Sequence, residues 1–482
     1  MSWNFFTRNK DLLLKIFFAI ANVALLSYCT SILYEYDFWW HLSVGRWILE
    51  HHTLMRVDTL SLTLPGFIWY DHEWFTNVLM AKLWMIGGRS ALLPFFCLAI
   101  GLIGATFAFR AQTLFQQSLG FLFLASTRSF LGLRPQVISF LFFAFIVYAW
   151  QHRVQHKNIL YAAPLIFLLW ANMYGGVVFG IIFIAIVGFF SIVQRTCSRI
   201  HATIIGLCCL ATLVNPFGIH LYSEIYRTQA SPYMKNISEM VSGFTRLEYI
   251  SILVIIFVVC ACALLVRARA WGLIAATLFF LYAYGHAVKF WPYFAIIGFE
   301  CVLEASSEFA WLMTRLRLSH EKIKRIGSWV ISMEIIFVAV WSLFALHSRV
   351  TYPVGATIFL ASLFEKQPQI RLYNEFETGG YIEWFVPGLP IFVDGHMPQW
   401  ADAKGNAPYP ESLRIMAGGA PVATEIFKKY DINTAMLPTA SFQNKAIAQS
   451  FIKAGWKELY RDATDVILVA PAFDRSEKSS LK

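Results

Sequence analysis

Four runs of apolar residues, 12–33, 176–193, 250–266 and 329–346, constrain this chain more than any other feature in it. Each reaches or approaches the roughly 18–20 residues that a helix needs to cross the hydrocarbon of a bilayer. In lipid every main-chain amide and carbonyl must be satisfied internally, so such runs fold as helices rather than as open sheet. Composition agrees, with 58% hydrophobic and 14% charged residues, against about 45–50% and 25% in soluble domains. The chain reads as an integral membrane protein whose solvent is the lipid bilayer.

The net charge of +10 invites a nucleic-acid partner, and its distribution excludes one. Basic residues stand in short clusters between apolar runs: Arg8, Lys10 and Lys15; Arg110; Arg153 and Lys157; Arg195 and Arg199; Arg267 and Arg269; and Arg315 through Arg325. Such clusters are topology signals, because positive side chains are retained on the cytoplasmic face. The eight cysteines fall within or at the ends of apolar segments and imply no disulfide framework. Cys260-Ala261-Cys262 has neither the spacing nor the histidines of a metal site.

With the clusters as cytoplasmic anchors, the N-terminus is inside and residues 12–33 lead out as an uncleaved first span. Residues 35–89 form the first external loop. Within it, residues 73–86 alternate apolar and polar character and end at Gly87-Gly88, a pattern that predicts an interfacial helix, and residues 90–109 return to Arg110. Further spans are expected at 117–132, 136–150, 159–174, 176–194, 202–221, 249–266, 271–286, 290–310 and 327–346, about eleven in all. The break at Asn172 and Gly175-Gly176 interrupts this series. No internal repeat is evident.

The transmembrane part thus covers residues 1–348. From 349 to 473 the polar residues return, and a small extracytoplasmic α/β domain is expected. Residues 390–395 read as a strand ending in a turn, residues 466–470 as another strand, and residues 420–430 and 441–454 as helices. Residues 474–482 are charged and are expected to be a disordered tail.

A chain this apolar has few places for carboxylates and imidazoles. Asp37, His41, Asp58, Asp71, His72 and Glu73 nevertheless gather in the first external loop, among tryptophans. Asp37-Phe38-Trp39-Trp40-His41 just past the first span, the second cluster Asp71-His72-Glu73-Trp74, and an interfacial helix before the second span resemble the first external loop of the GT-C glycosyltransferases. Arg134-Pro135-Gln136, Trp170-Ala171-Asn172, Asn215-Pro216-Phe217-Gly218, Gly379-Gly380-Tyr381 and Val393-Asp394-Gly395 are similar to segments of uncharacterised bacterial GT-C-like membrane proteins. The resemblance implies a polytopic α-helical membrane protein of GT-C type with a C-terminal extracytoplasmic α/β domain. It also implies transfer of a sugar, with inversion, from a polyprenyl-phosphate-linked donor to a glycan, lipid or protein acceptor at the outer face of a bacterial cytoplasmic membrane.

That chemistry asks for a carboxylate to take the acceptor's proton. Asp37, at the mouth of a span and walled by aromatics, is the candidate; an N-cap of the helix beginning at Phe38 is the plainer role for it. Glu73 is a second candidate. The leaving phosphate asks for positive charge: Arg134, with Gln136, and further along His286 and Lys289, are the candidates, although an arginine at an interface is often only an anchor. His41, Asp71 and His72 are candidates for holding the acceptor, or Asp71 and His72 merely start a helix. No cofactor is required, and a divalent cation, Mg or Mn, bound by Asp37 with the Asp71-His72-Glu73 group is possible chemistry. Residues 112–139 contain no Asp or Glu, a departure from GT-C enzymes that place an acid in the second external loop. Glu300, Glu304 and Glu334 are expected to pair with Arg315 or Lys324, or to be exposed to headgroups, rather than to act in catalysis. A transporter of a lipid-linked sugar and a non-catalytic component of a polysaccharide assembly are the rival classes; the first would place polar groups at the midplane of broken helices.

Overall fold

The computed structural model describes residues 35–111, 113–155, 157–315, 351–471 and 473. The expected first and last spans, Cys29, Glu334 and the tail 474–482 lie outside the described residues. The chain divides into two compact units, one taking in residues 87–219 and 236–349, the other 35–86, 220–235 and 350–482.

The first unit is helical. Its helices Gln136–Gln151, Val177–Val193, Tyr249–Leu265, Trp271–His286 and Trp291–Glu304 fall where the apolar runs predict them. Trp291–Glu304 is buried almost throughout, and small residues let its neighbours approach. A Cβ on Gly298 would lie 2.6 Å from Val258, and one on Gly120 would lie 2.9 Å from Phe299. Small residues at contacts are how helices pack where lipid removes the hydrophobic drive between them. Ser139 ties the interior together, with its hydroxyl 2.6 Å from that of Tyr293 and accepting the Trp170 indole N–H at 2.8 Å.

Three expected spans are shorter or broken. Residues 117–132 give a helix Leu114–Ser126 followed by a 3-10 turn Arg128–Phe130. Residues 202–221 give Arg199–Ala211 and then a turn, because Pro216 cannot continue a helix and Asn215 accepts the Phe217 amide while donating to the Thr212 carbonyl. Residues 290–310 divide into Trp291–Glu304 and Ser306–Arg315. Among the described residues, Trp74–Arg110 is the one helix long and apolar enough by itself to cross a membrane. Its backbone leaves helical geometry at Gly87-Gly88, the point where the sequence ends an interfacial helix. Gly88 has φ 56°, a left-handed conformation open to glycine at little cost.

The second unit carries a four-stranded sheet in the order β1-β2-β4-β3, formed by Leu372–Tyr373 (β1), Thr434–Pro438 (β2), Lys457–Arg461 (β3) and Asp465–Val469 (β4). β1 runs parallel to β2, and the remaining pairs are antiparallel. Helices Pro408–Lys429 and Phe442–Lys453 contain the two predicted there, while Val354–Lys366 and Gly379–Phe385 are additional. Its core takes Trp40, Val44, Ile48, Met55, Leu64 and Trp69 from the external loop together with Leu360, Leu372, Ile391, Trp400, Met436 and Ile467.

The strand expected at 390–395 does not form. Ile391 instead exchanges main-chain hydrogen bonds with Leu60 and Leu62. Beside it the Asn374 side chain accepts from the Phe392 amide at 2.8 Å and donates to the Val393 carbonyl at 2.7 Å. A buried segment whose polar groups are met by an asparagine side chain needs no neighbouring strand.

Candidate functional site

The polar residues of the external loop are assembled within the second unit. Helix Asp37–His51 sets Asp37 and His41 one turn apart on one face. Tyr36, not Asp37, occupies the N-cap position, and Asp37 is the first helical residue, where the helix dipole favours a carboxylate. Phe38, Trp39 and Trp40 beside it are buried, and Asp37 itself is half-buried.

His41 Nδ1 lies 2.8 Å from Asn77 Oδ1 and 3.3 Å from Glu73 Oε2. His72 Nε2 lies 3.4 Å from Glu73 Oε1, so Glu73 stands between two imidazoles. Asp71 starts the helix that follows: it accepts from the Glu73 amide at 2.9 Å and from Asn77 Nδ2 at 3.0 Å. Helix packing makes this geometry possible, since a Cβ on Gly45 would run into the Asn77 carbonyl and no larger residue fits.

These groups titrate against one another. Burial, helped by the Glu73 charge, pushes the Asp71 carboxyl up to about 7 despite its two hydrogen bonds. Burial pulls His41 below the usual imidazole range, and Glu73 restores only part of the loss. For His72 burial acts the same way but is outweighed by its contact with Glu73 and by the charges of Asp71 and Glu224, which lift it. One imidazole is thus held neutral and the other biased towards charge, on either side of a single carboxylate.

The C-terminal residues of the unit complete this site. Gly379-Gly380, a pair that by itself favours a turn, opens the helix Gly379–Phe385. A Cβ on Gly380 would stand 2.8 Å from the Trp40 main-chain nitrogen, and one on Gly395 would collide with Asp37 Oδ1. Gly395 is flanked by Asp394 and His396, which contact each other through Oδ1 and Nδ1, and both are buried. Glu383 lies beside them, buried, with Asp394 and Asp58 close enough to act on its charge. Asp58 is also buried and accepts from the Leu60 and Ser61 amides; burial raises its carboxyl above the usual range. Sequence reasoning passed over Glu383, Asn77 and Glu224. Asn77 stands one helical turn after Glu73, a spacing that signals a shared face; Glu383 sits in an apolar stretch that gives no such signal.

The first unit holds Arg134. It forms an ion pair with Glu239 and lines a cavity of about 350 Å³ together with Glu239, Arg246, Glu248, Tyr284 and Trp291 and several serines. Burial would raise the Glu239 carboxyl, but Arg134 and Lys289 outweigh it and hold the group below its usual range. The acid missing from residues 112–139 is therefore supplied next to Arg134 by a later segment. Arg128 pairs with Glu248 at 2.9 Å near the same cavity. Gln136 accepts from the Tyr174 hydroxyl at 3.4 Å and His286 is exposed at the end of its helix; neither lines the cavity. Glu300 pairs with Arg110, not with the expected Arg315 or Lys324, because helix Trp291–Glu304 places it in the interior, beside the end of the preceding long helix. Glu304 is exposed.

No family model and no curated protein matches this chain. Solved structures do match. One is the archaeal oligosaccharyltransferase AglB from Archaeoglobus fulgidus, determined in complex with an inhibitory peptide and a dolichol-phosphate. It is 13% identical, with a TM-score of 0.60 over 90% of this chain and 70% of that one. Another is an apo form of the oligosaccharyltransferase from the same organism, 12% identical, with a TM-score of 0.59 over 91% of this chain and 70% of that one. The chain thus shares the fold of these oligosaccharyltransferases, in agreement with the resemblance of its first external loop to the GT-C glycosyltransferases.

Proposed function

We propose that this protein is an integral membrane glycosyltransferase that moves a sugar from a polyprenyl-phosphate-linked donor to a glycan, lipid or protein acceptor at the external face of the membrane. The observation that carries the reading is the likeness of fold to AglB over nine-tenths of the chain. In this reading Asp37 takes the proton of the acceptor while its heteroatom bonds to the anomeric carbon. The bond from that carbon to the carrier phosphate breaks with its electron pair going to the phosphate, and the configuration inverts. Asp37 suits the part because it stands in the first turn of its helix among buried aromatics and is itself only half-buried.

Arg134, with Lys289 close to the same carboxylate, supplies the positive charge for the donor's phosphate, and the cavity beside Arg134 provides its space. Gln136 and His286 belong to the same proposed set. Glu73, His41, Asp71 and His72 orient the acceptor side, Glu73 fixing two imidazoles in different protonation states. The finer topology belongs to this proposal too: about eleven spans, a cytoplasmic N-terminus and an external C-terminal domain in a bacterial cytoplasmic membrane. No bound cofactor is needed for the step.

The test compares glycolipids and envelope glycans by mass spectrometry in cells with and without the protein, then in cells carrying Asp37→Asn. Transfer is expected to fall by about 10²–10⁴-fold, the span typical of removing a general base, with membrane insertion unchanged. Full activity in Asp37→Asn removes the base assignment; identical glycans with and without the chain remove the function.

A further inference from the structure

Glu383, Asp394 and His396 come together inside the second unit with their ligand atoms all within 4.8 Å of one another. They are 4%, 0% and 4% exposed. Among the described residues, neither carboxylate oxygen of Glu383, nor Asp394 Oδ2, nor His396 Nε2 meets an N–H donor, and the polar neighbour of Glu383 is the Asp394 carboxyl itself. Burying an ionised group without compensation costs several kcal/mol or more, so such groups are normally paired, protonated or bound to metal. The nearest cation and main-chain donors are engaged elsewhere, and the indole N–H groups of Trp40 and Trp400 beside the cluster donate to none of its oxygens. Arg46 gives its two Nη groups to the main-chain oxygens of Trp384 and Glu383, at 2.9 and 3.0 Å. The amides of Leu60 and Ser61 are taken by Asp58. The indoles of Trp40, Trp69 and Trp400 pack with their centroids 4.8–5.6 Å from that of the His396 ring.

We infer that Glu383, Asp394 and His396 form a binding site for a divalent transition-metal cation. Two carboxylates and one neutral imidazole balance a charge of +2. Zinc takes such oxygen and nitrogen donors at about 2.0–2.2 Å, so atoms already this close need only small movements to converge on one ion. An imidazole donor selects zinc or manganese over magnesium, which keeps to oxygen and holds its water. Gly395, between two of the ligands, is the residue against which Asp37 packs. The ion would therefore fix the turn that positions Asp37 and act as a structural fastening, not as the group that reacts. The competing arrangement is metal-free: Glu383 keeps a proton and shares it with Asp394. The inference stands on the second unit alone and does not rest on the glycosyl-transfer reading.

The full chain, purified in detergent and stripped with chelator, is dialysed against Zn²⁺, Mn²⁺ or Mg²⁺; retained metal is counted by mass spectrometry and unfolding is followed by temperature. One equivalent of Zn²⁺ or Mn²⁺ per chain, with a raised unfolding temperature, is expected. Glu383→Gln should lose at least tenfold in metal affinity while its metal-free form unfolds no earlier than the stripped parent, since the substitution also relieves carboxylate repulsion. His396→Gln should lose retention likewise, and Asp37→Asn should retain the metal. A folded parent that takes up no Zn²⁺ or Mn²⁺ points to the shared proton and overturns the site. Undiminished uptake by Glu383→Gln and His396→Gln, or preference for Mg²⁺, overturns it equally.

Discussion

The acids of the two candidate regions are matched in opposite ways, although the second unit also holds paired acids elsewhere, Glu224 with Arg227 and Glu411 with Lys429. In the helical unit each resolved acid beside the cavity has an arginine partner: Glu239 with Arg134 and Glu248 with Arg128, while Glu300 pairs with Arg110 deeper in the unit. In the other unit Asp58, Asp71, Glu73, Glu383 and Asp394 are all buried, and imidazoles, amides and one another are their neighbours. Matched pairs fix a local shape and give little reason for a proton to move. A surplus of carboxylates raises proton affinity, places it under the control of neighbouring charges, and so makes chemistry available near neutral pH.

The largest stability effect should come from the packing that gathers the acids. Gly45→Ala sets a methyl against the Asn77 main chain, which cannot rotate away, and should cost roughly 1–3 kcal/mol or more, as overpacking does. Chemical denaturation measures it. If the variant unfolds like the parent, the acids are not held by that contact. In the helical unit the same change at Gly298 meets the end of a valine side chain at 2.6 Å, and a smaller cost is expected.

Removing an acid should then cost more in the first unit than in the second. Glu239→Gln leaves Arg134 without its partner and should destabilise, by less than the roughly 3–5 kcal/mol of a fully buried pair, because both groups are partly exposed. Glu73→Gln removes a charge that raises Asp71 and should destabilise less, or stabilise above neutral pH. Equal losses in both variants would erase the contrast.

The remaining effect is a pH dependence. Asp71 is raised from 3.8 to about 7, so its folded form holds a proton more tightly than its unfolded form. Its contribution to stability is therefore complete below the unfolded value and is lost as pH rises through about 7. Unfolding measured from pH 4 to 8 should show that decline, and Asp71→Asn should flatten it. A parent profile already flat over this range would place the Asp71 proton affinity lower.

The first external loop shows how far a sequence reaches. Asp37 and His41 at helical spacing, Asp71 and Glu73 opening a helix, and the bend at Gly87-Gly88 are all local patterns, and local geometry alone is enough to read them. Gly379-Gly380 marks where it stops. Paired glycines suggest a turn when the chain is read alone, yet here they open a helix because the Trp40 main chain comes too close for any Cβ. The acid beside Arg134 was invisible for the same reason: Glu239 lies more than a hundred residues away along the chain.

The sequence by itself determined the solvent of this protein, the helical nature of its apolar runs and the character of the loop that carries Asp37, because these follow from composition and from periods of a few residues. Only the tertiary structure decided that Glu383, Asp394 and His396 meet, that Glu73 stands between His41 and His72, and that residues 35–86 share a core with residues 350–471. Only the shared core joins segments hundreds of residues apart; the other contacts join nearer residues through turns and helix packing that no period of a few residues encodes. They exist because close packing of glycine-faced helices excludes every looser arrangement.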